Sequence, residues 1–229
     1  MPRFLADIRR QTEAVIEGKD VRHILGPLRR KIGDELFIRD QEKGYRARIT
    51  DAGPDRITLE ILSSQELHER CSCAVRLGMS LIDLKDMDDL IRCVTELGVS
   101  EIHPLVSARS NVRDIGEKRM QRWRQIILEA VKQCERRSIP MIHEPRMLQD
   151  FLQHNAPAWT CRLVASLSSD ACLGDYRGRE AGVLIGPEGG FTDSEARMIL
   201  SSGFIPVHMG KTVLRSYTAA LTAVGVLAM

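Results

Sequence analysis

From Cys73 to Gly186, short apolar runs alternate with stretches in which apolar residues return every three or four positions, the pattern of strands separated by amphipathic helices. AVRLGMSLID, SEIHPLV, SIPMIH, CRLVASL and AGVLIG are the strand candidates. MDDLIRCVTEL predicts a helix that ends at Gly98, because glycine takes the left-handed conformation past a helix end at little cost. A longer helix is predicted over residues 117–136, where Met120, Trp123, Ile127, Val131 and Cys134 share one face, and a shorter one around MLQDFLQ. Such alternation predicts an α/β domain with a mainly parallel sheet.

The first seventy residues follow another pattern. ELFIRD, YRARITD and RITLEIL are short strand-like runs separated by the turn signals QEKG and AGPD, which predicts a compact β-module. Ahead of them, VRHILGPLRR sets Ile24, Leu25 and Leu28 at helical spacing, and Gly26-Pro27 prevents a long helix. SSQELHERCS, residues 63–72, has neither period and is the linker candidate. Two domains are therefore expected, 1–70 and 71–229.

Composition adds little to this picture: 43% hydrophobic and 28% charged residues in a chain of 229 describe an ordinary globular protein. The net charge of +2 is unremarkable, but its distribution is uneven. Between Arg109 and Arg137, nine Lys or Arg (Arg109, Arg113, Lys118, Arg119, Arg122, Arg124, Lys132, Arg136, Arg137) meet four acids (Asp114, Glu117, Glu129, Glu135). That excess either faces phosphates or is a solvated helix face. The six cysteines form no CxxC pair, and no histidine cluster has zinc-ligand spacing, so no metal site is expected. MPRFLADIRR lacks a signal-type apolar core and no window approaches the roughly 18 apolar residues of a membrane span. A cytoplasmic protein with reduced thiols is expected, with no membrane partner.

Candidate chemistry lies near the carboxyl end. AGVLIG runs directly into Gly186-Pro187-Glu188-Gly189-Gly190-Phe191-Thr192, so this glycine-rich loop sits at the C-terminal end of a strand, where open α/β sheets bind ligands. Thr192 and Glu195 have the spacing of a capping box for the next helix. Gly210-Lys211-Thr212 is not a Walker A loop, because position 205 is Ile205 and not glycine. The G-x-G-x-x-G dinucleotide fingerprint is absent as well, which disfavours a nicotinamide dehydrogenase. A second strand, in FIPVHMG, ends at Met209-Gly210 and precedes a helix beginning near Thr218 whose small residues Ala219, Ala220, Ala223 and Gly225 permit close packing against a cofactor or another copy of the chain.

The loop LIGPEGGFT..E followed by MG..VLR..TAAL resembles the C-terminal signature of the SPOUT methyltransferases, specifically the family that methylates N3 of a uridine in small-subunit ribosomal RNA. H..LGPLRRKIGDELFIRD, LK.MD.LIR..TELGV and RW..I..EAVKQCERRSIPMI extend the resemblance over nearly the whole chain. It implies an N-terminal PUA-like β-barrel, a C-terminal α/β domain with a deep trefoil knot, and a homodimer. The knot follows from the resemblance alone, since connections in most folds are unknotted. The implied cofactor is S-adenosylmethionine, held by Leu184, Gly186, Pro187, Glu188, Gly189, Gly190, Met209, Gly210, Leu214, Arg215, Thr218 and Ala219.

Methylation at N3 requires loss of the N3 proton and stabilisation of the charge that develops. Arg215 is the candidate for charge stabilisation and Glu188 the candidate base. Arg215 could instead hold a phosphate, and Glu188 could instead order the loop. Ribosomal RNA or the small subunit is the expected partner, contacted by Arg22, His23, Arg29, Arg30, Arg109, Arg113, Arg119, Arg136 and Arg137. Three positions depart from the family pattern: Tyr217 stands for a glutamate, Cys93 for a lysine and Ala108 for a glutamate. Two alternatives remain: another SPOUT enzyme acting on transfer RNA or on a ribose 2′-hydroxyl, and an RNA-binding protein that has lost catalysis.

Overall fold

A computed structural model describes every residue except 1–2, 11, 41–42, 67–72, 111, 113, 135 and 137, and residues 3, 10 and 66 by backbone alone. The chain divides into two compact units: Met1–Arg70 with Lys132–Ser138, and Cys71–Val131 with Ile139–Met229. The short return to the first unit at Lys132–Ser138 lies inside the segment that the sequence assigns whole to the second.

The first unit contains β1 (Arg3–Leu5), β2 (Asp7–Arg10), β3 (Glu13–Glu17), α1 (Lys19–Leu25), β4 (Glu35–Arg39), β5 (Lys43–Ala52) and β6 (Arg56–Glu66). Its six-stranded sheet has the order β1-β4-β5-β6-β3-β2, antiparallel except where β1 joins β4. Alternation builds the core: Ala47 and Ile49 of β5 and Ile57 and Leu59 of β6 are buried, while their chain neighbours Arg46, Arg48 and Glu60 are exposed. Patterning missed β1, β2 and β3, which are short and rich in charge. It also placed the linker too early. Ser63 to Glu66 pair with Arg46 to Lys43, so β6 continues through residues whose polarity alone signals a loop.

The second unit contains β7 (Val75–Ser80), α2 (Leu84–Leu97), β8 (Glu101–Val106), α3 (Glu117–Gln133), β9 (Met141–Ile142), β10 (Arg146–Met147), α4 (Leu148–His154), β11 (Arg162–Ala165), β12 (Ala181–Ile185), α5 (Asp193–Ser201), β13 (Ile205–Val207) and α6 (Ser216–Leu227), with α3 ending just past the boundary between the units. Every ladder is parallel, in the order β10-β8-β7-β12-β11-β13, with β9 also on β8. The α/β expectation therefore holds for this unit. Each helix forms where its apolar stripe can meet the sheet. In α2, Asp83 caps the first turn by accepting from the Lys85 N–H at 2.8 Å, and Met87, Leu90, Ile91 and Val94 are buried at helical spacing. Gly98 ends the helix at φ 112°. Helix α3 is fastened to α2 through Asp88, which accepts from Trp123 Nε1 at 2.8 Å, Arg122 Nε at 2.7 Å and Arg119 Nη1 at 2.9 Å.

One face of the sheet packs on α2, α3 and α6; the other holds Leu105, Phe151, Trp159, Leu184 and Phe204. Trp159 lies flat against the strands because β12 and β7 are bare beneath it. A Cβ on Gly182 would come within 1.8 Å of the Trp159 ring, and one on Gly78 within 2.4 Å of Leu184. Gly182→Ala must therefore displace the indole. It is expected to lower stability by about 1–3 kcal/mol, the usual range for an overpacked core. An unchanged midpoint in denaturant unfolding would show that the indole does not depend on this seat.

Candidate functional site

β12, β11 and β13 are neighbours and parallel, so their carboxyl ends open on the same side of the sheet. A cavity of about 470 Å³ occupies that side. Gly186 to Phe191 follow β12 and form one wall; Val207, the last residue of β13, with His208 to Gly210 and Thr212 to Leu214 after it, forms another. Arg215, Ser216 and Ala219 bring in the start of α6. Between the outer loops stand Ala165, Ser166 and Leu167, the end of β11.

Local geometry explains why these loops are glycine-rich. Gly190 sits at φ 68° and donates its N–H to the Pro187 carbonyl at 2.8 Å, closing a tight turn. Gly210 sits at φ 137°, its N–H 3.3 Å from His208 Nδ1. These are conformations that side chains with a Cβ rarely adopt, and at neither position would a Cβ meet a protein atom, so the wall there is bare backbone. Two contacts hold the first loop from behind. Arg109 Nη1 donates to the Gly189 carbonyl at 2.5 Å. Glu195, buried at the start of α5, accepts from the Thr192 N–H at 2.8 Å through one oxygen and from the Ala108 N–H at 2.7 Å through the other. The capping box read from sequence is thus complete and is joined to the turn after β8.

Of the twelve residues assigned to cofactor binding, Gly186, Pro187, Glu188, Gly189, Gly190, Met209, Gly210, Leu214, Arg215 and Ala219 line the cavity. Leu184 does not: strand alternation turns it to the opposite face, in the cluster around Trp159, while Ile185 reaches the cavity. Thr218 is exposed and outside the lining, because α6 starts at Ser216, two residues earlier than its small residues suggest, and that phase presents Ser216 and Ala219. Both candidates for chemistry line the cavity. Arg215 is exposed at the N-cap of α6 and Glu188 is the one carboxylate in the lining. Sequence reasoning missed the end of β11, since CRLVASL carries no glycine signal and sheet order cannot be read from a strand's own residues.

The basic residues separate into two groups. Arg119 and Arg122 are bound to Asp88, Arg124 to Glu144 at 2.6 Å, Lys132 to Asp20 at 2.7 Å, and Arg109 to the glycine loop. Much of the basic run from Arg109 to Arg137 is therefore spent on internal partners. Arg136 also serves its own unit, its carbonyl accepting from the buried Arg39. In contrast, Arg29 and Arg30 make no ion pair among the described residues, Arg29 is exposed at φ 50°, and His23 is exposed. Arg22 is exposed and reaches Asp55 only at 3.9 Å. Arg113 and Arg137 lie outside the described residues. No described helix is long and apolar enough to cross a membrane, and Cys73, Cys93, Cys161 and Cys172 are in no disulfide.

Residues 69–228 match the model of the RNA methyltransferase domain family. The chain belongs to that family. It is similar to proteins named ribosomal RNA small subunit methyltransferase E: 30% identity to that of Synechocystis, across 86% of this chain and 66% of the relative, and 29% to that of Aquifex aeolicus, across 98% and 97%. The crystal structure of the Neisseria gonorrhoeae protein of that name, bound to S-adenosyl methionine, superposes with a TM-score of 0.84 at 31% identity, covering 98% of this chain and 95% of that one.

Two departures from the family pattern meet each other in this RNA methyltransferase domain. Cys93 Sγ on α2 lies 3.6 Å from Tyr217 Oη on α6. Neither residue lines the cavity; the two stand where the resemblance leads one to expect a lysine and a glutamate. The third, Ala108, donates its backbone N–H to Glu195. Burial, followed by the contact with Cys93, pushes the Tyr217 phenol up to about 12 from its ordinary value of 10.0. The folded chain thus holds this proton more tightly than the unfolded chain, so the contribution to stability is full below pH 10 and is lost as pH rises from there through about 12. In an ultraviolet titration one of the three tyrosines is expected to ionise late, and Tyr217→Phe to remove that component. A late component that survives the substitution would assign it elsewhere.

Proposed function

We propose that this chain is an S-adenosylmethionine-dependent methyltransferase of small-subunit ribosomal RNA that modifies N3 of a uridine. The observation that carries the reading is the cavity at three adjacent parallel strand ends, walled by two glycine-containing loops and by the start of α6. The relatives named ribosomal RNA small subunit methyltransferase E, one of them bound to S-adenosyl methionine, support it. A SPOUT-type knotted α/β domain, a PUA-like first unit, a homodimer and a cytoplasmic setting belong to the same reading and rest on the resemblance. Leu221, Thr222 and Val226, which are only half-buried on α6, are compatible with a second copy packing there.

The lining suits the cofactor. Without a Cβ at Gly190 and Gly210 a ligand can come close to the backbone there, and Met209, Val213, Leu214 and Ile185 offer an apolar wall for a flat heterocycle. When bound, the cofactor supplies an electrophilic methyl group on a sulfonium. The protein's part is to bind and orient that group, exclude water with the apolar wall, and prepare the base. Uracil N3 carries a proton and is a poor nucleophile until that proton leaves. In this reading the Glu188 carboxylate accepts the N3 proton, and the Arg215 guanidinium stabilises the negative charge left on the uracil. The N3 edge must be unpaired to enter. Arg22, His23, Arg29 and Arg30, which the fold leaves exposed or unpaired, are the preferred phosphate contacts over Arg119, whose charge is already matched by Asp88.

Incubation with methyl-labelled cofactor and unmethylated small subunits, followed by digestion to nucleosides, is expected to yield labelled 3-methyluridine. Label on another nucleoside would retire the N3 assignment, and no label on RNA would retire the enzyme reading. Arg215→Ala is expected to reduce turnover by about 10²–10³-fold, the scale for losing one charge-stabilising donor, with a much smaller change in cofactor affinity. RNA affinity should fall steeply with salt, and less steeply after Arg29→Ala and Arg30→Ala together; an unchanged salt slope would remove those arginines from the interface.

A further inference from the structure

We propose that Glu101, His103 and His143 form a site for one divalent transition-metal ion of the zinc class. The sequence predicts none, because 40 residues separate His103 from His143. Strand register closes that gap. Glu101 and Ile102 of β8 pair with Met141 and Ile142 of β9, and the His143 N–H continues the ladder onto the Ile102 carbonyl at 2.9 Å. His143 therefore arrives beside His103, with ring centroids 3.9 Å apart.

The three polar atoms converge. Glu101 Oε2 is 2.9 Å from His143 Nε2 and 3.3 Å from His103 Nε2, and all three ligand atoms lie within 4.8 Å of one another. Ligands at the roughly 2.0–2.2 Å typical of zinc stand about 3.4 Å apart in a tetrahedron, so two of the three edges are already close to that span. Two imidazoles and a carboxylate are also a ligand set that zinc accepts, with water in the remaining position.

The surroundings favour a built site over a chance contact. Arg76 Nε engages the other oxygen of Glu101 at 2.8 Å and is itself held by Glu180 at 2.7 Å, which fixes the carboxylate and leaves Oε2 for the ion. His103 is buried with its ring against the edges of Phe151 and Trp159, at 5.2 and 5.6 Å. The side chains of His143 and Glu101 retain 26% and 29% exposure, which gives the ion a route in and water its place. The two rings are nearly parallel, 11° apart, so binding requires His143, the more exposed ring, to turn its lone pair toward the ion. None of the three residues lines the cavity, so the site is independent of the methyltransferase reading. Its effect is to fasten β9 to β8 at the end of the sheet.

The test uses the full chain without a histidine tag, stripped by a chelator. Calorimetric titration with Zn²⁺ is expected to give one equivalent per chain, with a thermal midpoint that rises on saturation; His143→Ala is expected to weaken binding at least about ten-fold and to abolish the rise. Addition of Co²⁺ to the wild-type chain is expected to broaden the imidazole signals of His103 and His143 among the six histidines, which tests the site even if the variant folds poorly. Absence of saturable binding, equal affinity in wild type and variant, or broadening confined to other histidines would overturn the proposal, and the three groups would then be a hydrogen-bonded cluster.

Discussion

The site exists because three strands that are distant in sequence lie side by side and point the same way. β11 sits between β12 and β13, and parallel pairing brings all three carboxyl ends to one edge of the sheet. No single segment could make the cavity. The glycine-rich loop after β12 supplies one wall, the turn at Met209-Gly210 another, and the end of β11 closes the space between them. At the start of α6, Arg215 and Ala219 are four residues apart, one helical turn, and both reach the same opening. A one-residue slip of β12 against β11 would exchange Ile185 for Leu184 at the cavity and expose the seat of Trp159.

Much of the positive charge on α3 is committed to acids within the fold. Asp88 alone gathers Arg119, Arg122 and the Trp123 indole, and binds α3 to α2 with a carboxylate whose side chain is only 13% exposed. A basic count along the sequence therefore overstates what can face phosphates. What separates a structural cation from an available one is whether the fold provides it with an acid, and that depends on tertiary neighbours. By this measure the residues after α1, notably Arg29 and Arg30, are more available than Arg119 and Arg122 on α3.

Much of the second unit was legible from periodicity because its helices are amphipathic and its strands are continuous apolar runs, as buried parallel strands must be. The glycine loops were legible for a related reason: tight turns at a strand end restrict residue type severely. What stayed hidden was whatever depends on adjacency. The place of β11 in the sheet, the pairing that carries Ser63 to Glu66 into β6, and the meeting of His103 with His143 all follow from register between segments, which leaves no trace in either segment alone. Helix phase hid the rest, since two residues at the start of α6 decide whether Thr218 or Ser216 faces the cavity.

Lys132–Ser138 gives the architecture a topological property that compactness conceals. The backbone passes between the two packed bodies three times, after Arg70, after Val131 and after Ser138. Neither body is a contiguous stretch of polypeptide. A fragment starting at Cys71 would carry Lys132 away from Asp20 and remove the carbonyl of Arg136 from Arg39, while a fragment ending at Arg70 would keep both acceptor and donor but lose what they hold. Division in space is thus no guide to division by truncation, because a single cut between Arg70 and Cys71 separates segments that belong to one unit.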